Sequence, residues 1–160
     1  MTTRKTLAAL VVATMLATLI AFTGTRSNVS AGGDNAPGLE GSWEVTVMPD
    51  GGAPVVDFAT FTGGGGIIST DPDPNVSTGI GTWVRTGGNE FAITFVHFLS
   101  DQGAAVGTLK VRAVGQLDKQ GNTMSAQFRT DVIIGGNVVQ SYCGTVQARR
   151  ISVEPLEACP

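Results

Sequence analysis

The chain contains few of the residues that usually carry catalytic or metal chemistry. Its 160 residues include one His, one Tyr and two Cys, and only 14% of them are charged. Two Cys and one His argue against a zinc-type site, so we expect no metal and no cofactor. No Ser stands in a Gly-x-Ser-x-Gly context and no Cys is paired with the His in sequence, so nucleophilic catalysis has no support.

The N-terminal segment has the layout of an export signal. Arg4 and Lys5 precede an apolar run, Thr6–Phe22, and Val29–Ala31 offers the small residues that a signal peptidase reads. We therefore expect residues 1–31 to be a cleaved signal peptide and the remainder to be secreted or periplasmic. An uncleaved membrane anchor is the alternative, but the run is short for a span of about 20 residues.

The remainder has the size of one domain and is acidic. Removing the three basic residues of the signal, and no acidic ones, leaves 129 residues with 7 basic and 13 acidic side chains and a net charge of −6. This charge disfavours nucleic acid as a partner and favours a soluble monomer or homodimer. No second stretch could cross a membrane, so no stable membrane insertion is expected after signal cleavage. We expect a flexible leader over residues 32–40 and a single domain over 41–160.

Apolar residues alternate with polar or small ones through most of this domain, which is typical of half-buried β-strands. Along Ala105–Leu117, for example, Leu109 and Val111 alternate with Lys110 and Arg112. Gly-rich and Asp-rich turns separate eight such runs, and no stretch predicts a helix. Consecutive hairpins of this kind predict an all-β fold, an eight-stranded antiparallel up-and-down barrel, with a β-sandwich as the alternative.

Two Gly-x-Trp triplets, Gly41-Ser42-Trp43 and Gly81-Thr82-Trp83, lie at the start of predicted strands. The first triplet, together with Arg149 or Arg150 on the last strand, resembles the lipocalin (calycin-type) arrangement. In that family an Arg of the final strand packs over the Trp of the first strand and closes the barrel base. The resemblance implies a cation–π contact between Trp43 and one of the two Arg residues.

The chain also resembles a group of secreted bacterial lipocalin-like proteins of unassigned function. Those proteins share a Gly-Thr-Trp strand, a Thr-Phe strand and a closing Gly-Thr-x-x-x-x-Arg-Ile segment. The corresponding residues here are 81–83, 94–95 and 144–151. The shared motifs are packing motifs, so the resemblance implies the barrel and does not imply a particular chemistry.

Aromatic side chains are expected to line the barrel interior, which is just wide enough in an eight-stranded barrel for side chains or one small ligand. His97 and Tyr142 are also the candidates for acid–base catalysis, although a structural role is the expectation for both. The ligand-binding candidates are Phe58, Phe61, Trp83, Phe91, Phe95, His97, Phe128 and Tyr142.

Acidic residues near the second and third strands carry no predicted role. Asp57 stands between Val56 and Phe58, and an exposed position is expected for it. Asp71 and Asp73 are spaced as in the first half of a calcium loop, but Val76 occupies the place of the required Gly. We therefore expect an ordinary loop there.

The two cysteines, Cys143 and Cys159, both follow the export signal. An even pair in an exported protein predicts a disulfide. It would close a loop of about 15 residues and stabilise the fold by roughly 3 kcal/mol in the chain-entropy account.

Three functions remain open at this point. The first is a secreted barrel that binds a small apolar molecule in its interior. The second is an isomerase or cyclase whose cavity shape guides the reaction, as in barrels that resemble allene oxide cyclases and spirotetronate cyclases. The third is a structural or surface-interaction domain whose core is filled, which would leave no internal pocket.

Overall fold

The computed structural model describes residues 38–159, which form a closed antiparallel β-barrel. Its eight strands follow one another around the barrel: β1 (Gly41–Pro49), β2 (Val55–Phe61), β3 (Gly66–Ser69), β4 (Gly79–Gly87), β5 (Glu90–Asp101), β6 (Ala104–Leu117), β7 (Thr123–Ile134) and β8 (Asn137–Arg150). β1 pairs with both β2 and β8, and this pairing closes the sheet. The predicted up-and-down barrel is therefore confirmed, and the sandwich alternative is wrong. The predicted signal peptide, residues 1–31, lies outside the described residues.

Tight turns connect most neighbouring strands, as a meander requires. The turn between β7 and β8 consists of Gly135 and Gly136, with φ angles of 59° and 80°. Two consecutive residues with positive φ give a turn whose twist matches that of the strands, and glycine adopts this conformation without a steric penalty. The longest connection, residues 70–78, joins β3 to β4.

The barrel has two distinct ends, which we call the closed end and the open end. The closed end contains the start of β1, the end of β8 and the turns at residues 62–65, 88–89 and 118–122. The open end contains the turns at residues 50–54, 70–78, 102–103 and 135–136. Each strand runs from one end of the barrel to the other, so it contributes residues to both ends.

The buried apolar core lies inside the barrel and is concentrated toward the closed end. Leu39 belongs to this core, since it is 1% exposed and its carbonyl accepts a hydrogen bond of 3.0 Å from Nε1 of Trp43. Leu39, which lies within the predicted flexible leader, is therefore packed against the barrel. The core comprises Leu39, Trp43, Val45, Ala59, Phe61, Ile67, Trp83, Phe91, Ile93, Ala113, Leu117, Met124 and Ala148. Among residues 38–159, no helix is long and apolar enough to cross a membrane.

The predicted disulfide is absent, because Cys143 and Cys159 are both exposed and unbonded. Cys143 lies within β8, seven residues before Arg150, which is roughly 23 Å at about 3.3 Å per residue. After Arg150, the backbone of Ile151 donates to Ser42 at the closed end, and the tail beyond it is exposed. A disulfide requires Cα atoms about 4–7 Å apart, so the tail would have to fold back along β8 to form one.

Candidate functional site

The closed end of the barrel is sealed by Trp43 and Arg150. The indole of Trp43 is 0% exposed, and the guanidinium carbon of Arg150 lies 4.3 Å from the centroid of its ring. The guanidinium also donates to the backbone carbonyls of Gly38 and Gly121, at 2.7 and 2.8 Å, and to that of Glu40. The cation–π contact and two of the charge-assisted hydrogen bonds thus bind the last strand to the start of the first and the residues before it, and the third binds it to the turn between β6 and β7.

Arg149 does not take part in this closure. Neighbouring residues of a strand face opposite sides of the sheet, so Arg149 faces solvent where Arg150 reaches over the barrel base. Its guanidinium forms a bidentate ion pair with Glu44, with distances of 2.9 and 3.1 Å. The hydrogen bond from Arg149 lowers the pKa of the Glu44 carboxyl. Of the two candidates for the contact with Trp43, the structure thus selects Arg150.

Trp83 also packs near the closed end and does not line the cavity described below. Its Nε1 donates to the carbonyl of Thr62 at 3.0 Å, and its ring meets the ring of Phe61 edge-on at 6.4 Å. Gly81, two residues earlier, lies against the backbone of β5. A Cβ atom there would come within 2.4 Å of the Cα of Phe95. The second Gly-x-Trp triplet is therefore a packing feature, and the ligand-binding role predicted for Trp83 has no support.

An internal cavity of about 150 Å³ lies above the sealed base. All eight strands except β4 contribute to its wall. Its apolar lining consists of Val45, Val47, Ala59, Phe61, Ile67, Phe91, Ile93, Phe95, Leu109, Val111, Ala113, Met124, Ala126, Phe128 and Val146, and its polar lining of Asp57, Ser69, Asp71, His97 and Thr130. These five polar residues lie in the half of the cavity nearer the open end, and we call them the polar mouth.

The cavity brings together five of the eight predicted ligand-binding residues: Phe61, Phe91, Phe95, His97 and Phe128. Phe58 does not line the cavity as predicted, since its side chain is 50% exposed on the outer face of β2. Tyr142 also lies outside the cavity and is 44% exposed. β1 ends at Pro49, which lies opposite Gly144. Tyr142 therefore belongs to the part of β8 that extends beyond β1 at the open end and pairs only with β7.

Asp57 is the residue of the polar mouth that the sequence analysis missed. Its Oδ1 accepts hydrogen bonds from the hydroxyl of Thr70 at 2.8 Å and from the amide of Phe58 at 2.5 Å, and its Oδ2 accepts one from Ser69 at 3.0 Å. Burial raises the pKa of the Asp57 carboxyl and outweighs these hydrogen bonds, and the charge of Asp71 acts in the same direction. Strict alternation from Ala59 and Phe61 along β2 would have predicted that Asp57 faces inward.

His97 is the second important group of the mouth and is 3% exposed. Its Nδ1 lies 2.6 Å from the carbonyl oxygen of Ser77. Since a carbonyl only accepts, Nδ1 carries the proton, and in the neutral imidazole Nε2 then carries a free lone pair. The ring meets that of Phe95 edge-on at 5.2 Å and lies against Gly79, where a Cβ atom would approach it to 2.7 Å. The absence of a side chain at Gly79 thus makes room for the imidazole.

Nε2 of His97 has no hydrogen-bond partner among residues 38–159. No fully buried side-chain nitrogen or oxygen in the same range lacks a partner. Nε2 therefore retains some accessible surface, and His97 is one of the residues that line the cavity. The imidazole can accept a hydrogen bond from a bound molecule at this atom.

The loop that follows β3 shapes the edge of the mouth. Asp71 lines the cavity and also accepts a hydrogen bond of 2.9 Å from the amide of Asp73. Asp73 in turn accepts from the amide and side chain of Asn75 at 2.9 and 3.0 Å. These bonds form an ordinary Asx-type turn. Within residues 38–159, no three His, Cys, Asp or Glu side chains are grouped so that they could hold a metal ion.

A polar cluster on the outer wall was also missed by the sequence analysis. Asp131 of β7 accepts from Arg112 and Arg129, each at 2.8 Å, and from Ser141 at 2.7 Å. These hydrogen bonds hold the pKa of Asp131 well below its ordinary range. The bond from Ser141 has the largest effect, and those from the two Arg residues come next. All three donors to the carboxylate belong to β6, β7 and β8, so the cluster ties three strands together.

The fold and its site define a class: a closed eight-stranded up-and-down barrel with a sealed base and an internal, mostly apolar cavity, which is consistent with a lipocalin-like fold. No protein-family model, curated protein or solved structure matches the chain.

Proposed function

We propose that the protein is an exported barrel that binds a small, mostly apolar molecule in its interior. The observation that carries this proposal is the cavity of about 150 Å³ with its predominantly apolar lining. Such a surface gains free energy when it is covered by apolar groups, at about 25 cal/mol per Å² removed from water. The export-signal layout of residues 1–31 supports a location outside the cytoplasm.

The size of the cavity limits the ligand. Sites for drug-sized ligands usually measure about 300–1,000 Å³. An apolar cavity of roughly 150 Å³ is able to hold benzene. The proposed ligand therefore resembles a single ring or a short branched chain, and any longer part of it would extend through the polar mouth. A completely filled core, as the structural-domain alternative requires, is disfavoured by the same volume.

The test is a binding measurement with toluene on the wild-type protein and two matched variants of β6. Val111 lines the cavity, whereas Val114 is 61% exposed on the outer wall. We expect Val111→Phe to fill the cavity and weaken toluene binding at least tenfold, and Val114→Phe to bind as the wild type does. Overpacking costs about 1–3 kcal/mol, so the thermal unfolding of both variants is measured first. Equal binding by both variants would place the ligand outside the barrel and refute the proposal.

A second function, acid–base isomerisation or cyclisation in the cavity, is favoured by one observation. Asp57 and His97 line the same cavity, and each can exchange a proton with a bound molecule. Chromatography of molecules that co-purify with the protein separates the two functions. Recovery of one compound from a His97→Gln variant and of its isomer from the wild type would favour catalysis, and recovery of the same compound from both would favour binding.

A further inference from the structure

The polar mouth contains acceptors and negative charge, and this composition restricts the ligand further. Two carboxyl groups, one imidazole and two hydroxyls line it, and none of the described residues that line the cavity is Lys or Arg. A negatively charged ligand group would meet two like charges without a counter-ion. A purely apolar ligand would leave the acceptors of the mouth desolvated without a donor, which costs free energy.

The geometry of Asp57 leaves capacity for another donor. The amide of Phe58 and the hydroxyls of Ser69 and Thr70 already donate to its carboxylate, which holds the side chain in one orientation. A carboxylate offers about four lone-pair sites on its two oxygens, so three donors do not saturate it. The group is thus oriented before a ligand arrives.

His97 supplies the independent observation. The side chain is 3% exposed, its Nδ1 proton is directed to the carbonyl of Ser77, and its Nε2 has no partner among residues 38–159. The carbonyl of Ser77 thereby fixes the tautomer that presents a lone pair to the cavity. A donor on the ligand would pair with this acceptor.

We propose that the polar mouth binds an ammonium group, so that the ligand is a small primary amine with an apolar ring or branched body. This inference rests on the proposed binding function and specifies its ligand class. An ammonium carries three N–H donors and no acceptor, and its positive charge complements the two carboxylates. The apolar body occupies the cavity below, where a single ring fits.

The experiment is a calorimetric titration at neutral pH with three probes of similar size: benzylamine, toluene and benzoate. We expect benzylamine to bind at least tenfold more tightly than toluene and benzoate not to bind. In Asp57→Asn the affinity for benzylamine should fall about tenfold, while that for toluene stays within twofold of the wild type. His97→Gln should likewise weaken benzylamine binding selectively.

Asp50→Asn is the matched control, because Asp50 is an exposed carboxyl at the same open end that does not line the cavity. It should leave the affinities for all three probes unchanged.

If toluene binds and benzylamine binds no better, or if benzoate binds best, the amine proposal is overturned and the proposed binding function stands. If neither toluene nor benzylamine binds, both are overturned. Equal weakening of benzylamine by Asp50→Asn and Asp57→Asn would show a general charge effect and also overturn the assigned site.

Discussion

The two ends of the barrel use polar groups in opposite ways. At the closed end, the guanidinium of Arg150 donates to three backbone carbonyls and packs over the ring of Trp43. At the open end, Nε2 of His97 has no partner within the described chain, and the carboxylate of Asp57 can accept further donors. At one end the charged group is paired with the protein's own groups, while at the other acceptors with remaining capacity lie beside the cavity.

The same strands supply both environments. β5 contributes Phe91 to the core near the base and His97 to the mouth, six residues or about 20 Å further along. β2 likewise contributes Phe61 toward the base and Asp57 toward the mouth. We therefore expect stability and the proposed binding to be separable along each strand, so that substitutions at the two ends affect different measurements.

The largest expected effect follows from removing the seal of the closed end. We expect Trp43→Ala to lower the free energy of unfolding by about 3–5 kcal/mol, because it leaves a cavity under Arg150 in the fully buried core. Urea unfolding monitored by circular dichroism measures this loss. Trp43→Phe should lower the free energy of unfolding by less than Trp43→Ala does. It provides the measurement if the Ala variant fails to fold.

The control for Trp43 is Phe98, an aromatic residue of β5 that is 61% exposed on the outer wall. Phe98→Ala should change the free energy of unfolding by no more than about 0.5 kcal/mol. A similar loss in the Phe98 and Trp43 variants would contradict the assignment of Trp43 as the buried plug of the base.

A smaller effect is expected from Arg150. Arg150→Ala removes the donor from three backbone carbonyls, and we expect a loss of about 1–3 kcal/mol in the free energy of unfolding. Arg150→Lys should recover only part of it, since an ammonium cannot reproduce the planar fork of a guanidinium. Arg149→Ala breaks a solvent-exposed ion pair with Glu44 and should cost clearly less. Equal losses from the Arg149 and Arg150 variants in urea unfolding would refute the asymmetry between the two residues.

The closed end was more predictable than the open end because packing leaves a pattern in the sequence. Alternation and turns predicted the eight strands, and the lipocalin resemblance paired Trp43 with one of two Arg residues. The alternation of β8, in which Val146 and Ala148 face the interior, was sufficient to select Arg150. The same rule would have excluded Phe58 once Phe61 was placed inside, since positions three apart on a strand face opposite sides of the sheet.

The polar mouth was harder to predict because its residues come together from distant positions. Asp57, Asp71 and His97 belong to three different segments, and only barrel closure places them around one volume. A single Asp between apolar neighbours is usually exposed, which is why Asp57 was expected at the surface. The absence of a disulfide was also beyond the sequence, because the number of cysteines carries no information on the path of the chain after Arg150.

The smallest expected effect distinguishes the carboxyl groups of the two ends by their dependence on pH. At the open end, burial raises the pKa of Asp57, so the folded protein binds its proton more tightly than the unfolded chain does. Stability should therefore fall as the pH rises from the ordinary Asp range through the raised pKa, because the buried carboxylate must ionise. Asp57→Asn removes this penalty, and its stability relative to the wild type should increase over that pH interval.

Asp118 at the closed end provides the opposite case. Burial acts to raise the pKa of its carboxyl, but hydrogen bonds from the amides of Thr123 and Asn122 outweigh burial and lower it. The ionised form thus stabilises the fold above the ordinary Asp range, and this contribution disappears as the pH falls through the lowered pKa. Asp118→Asn should cost stability at neutral pH, with a cost that shrinks in acid. Urea unfolding of both variants between acidic and neutral pH measures the two trends. Trends of the same sign would refute the contrast between Asp118, whose ionised form stabilises the fold, and Asp57, whose ionised form destabilises it.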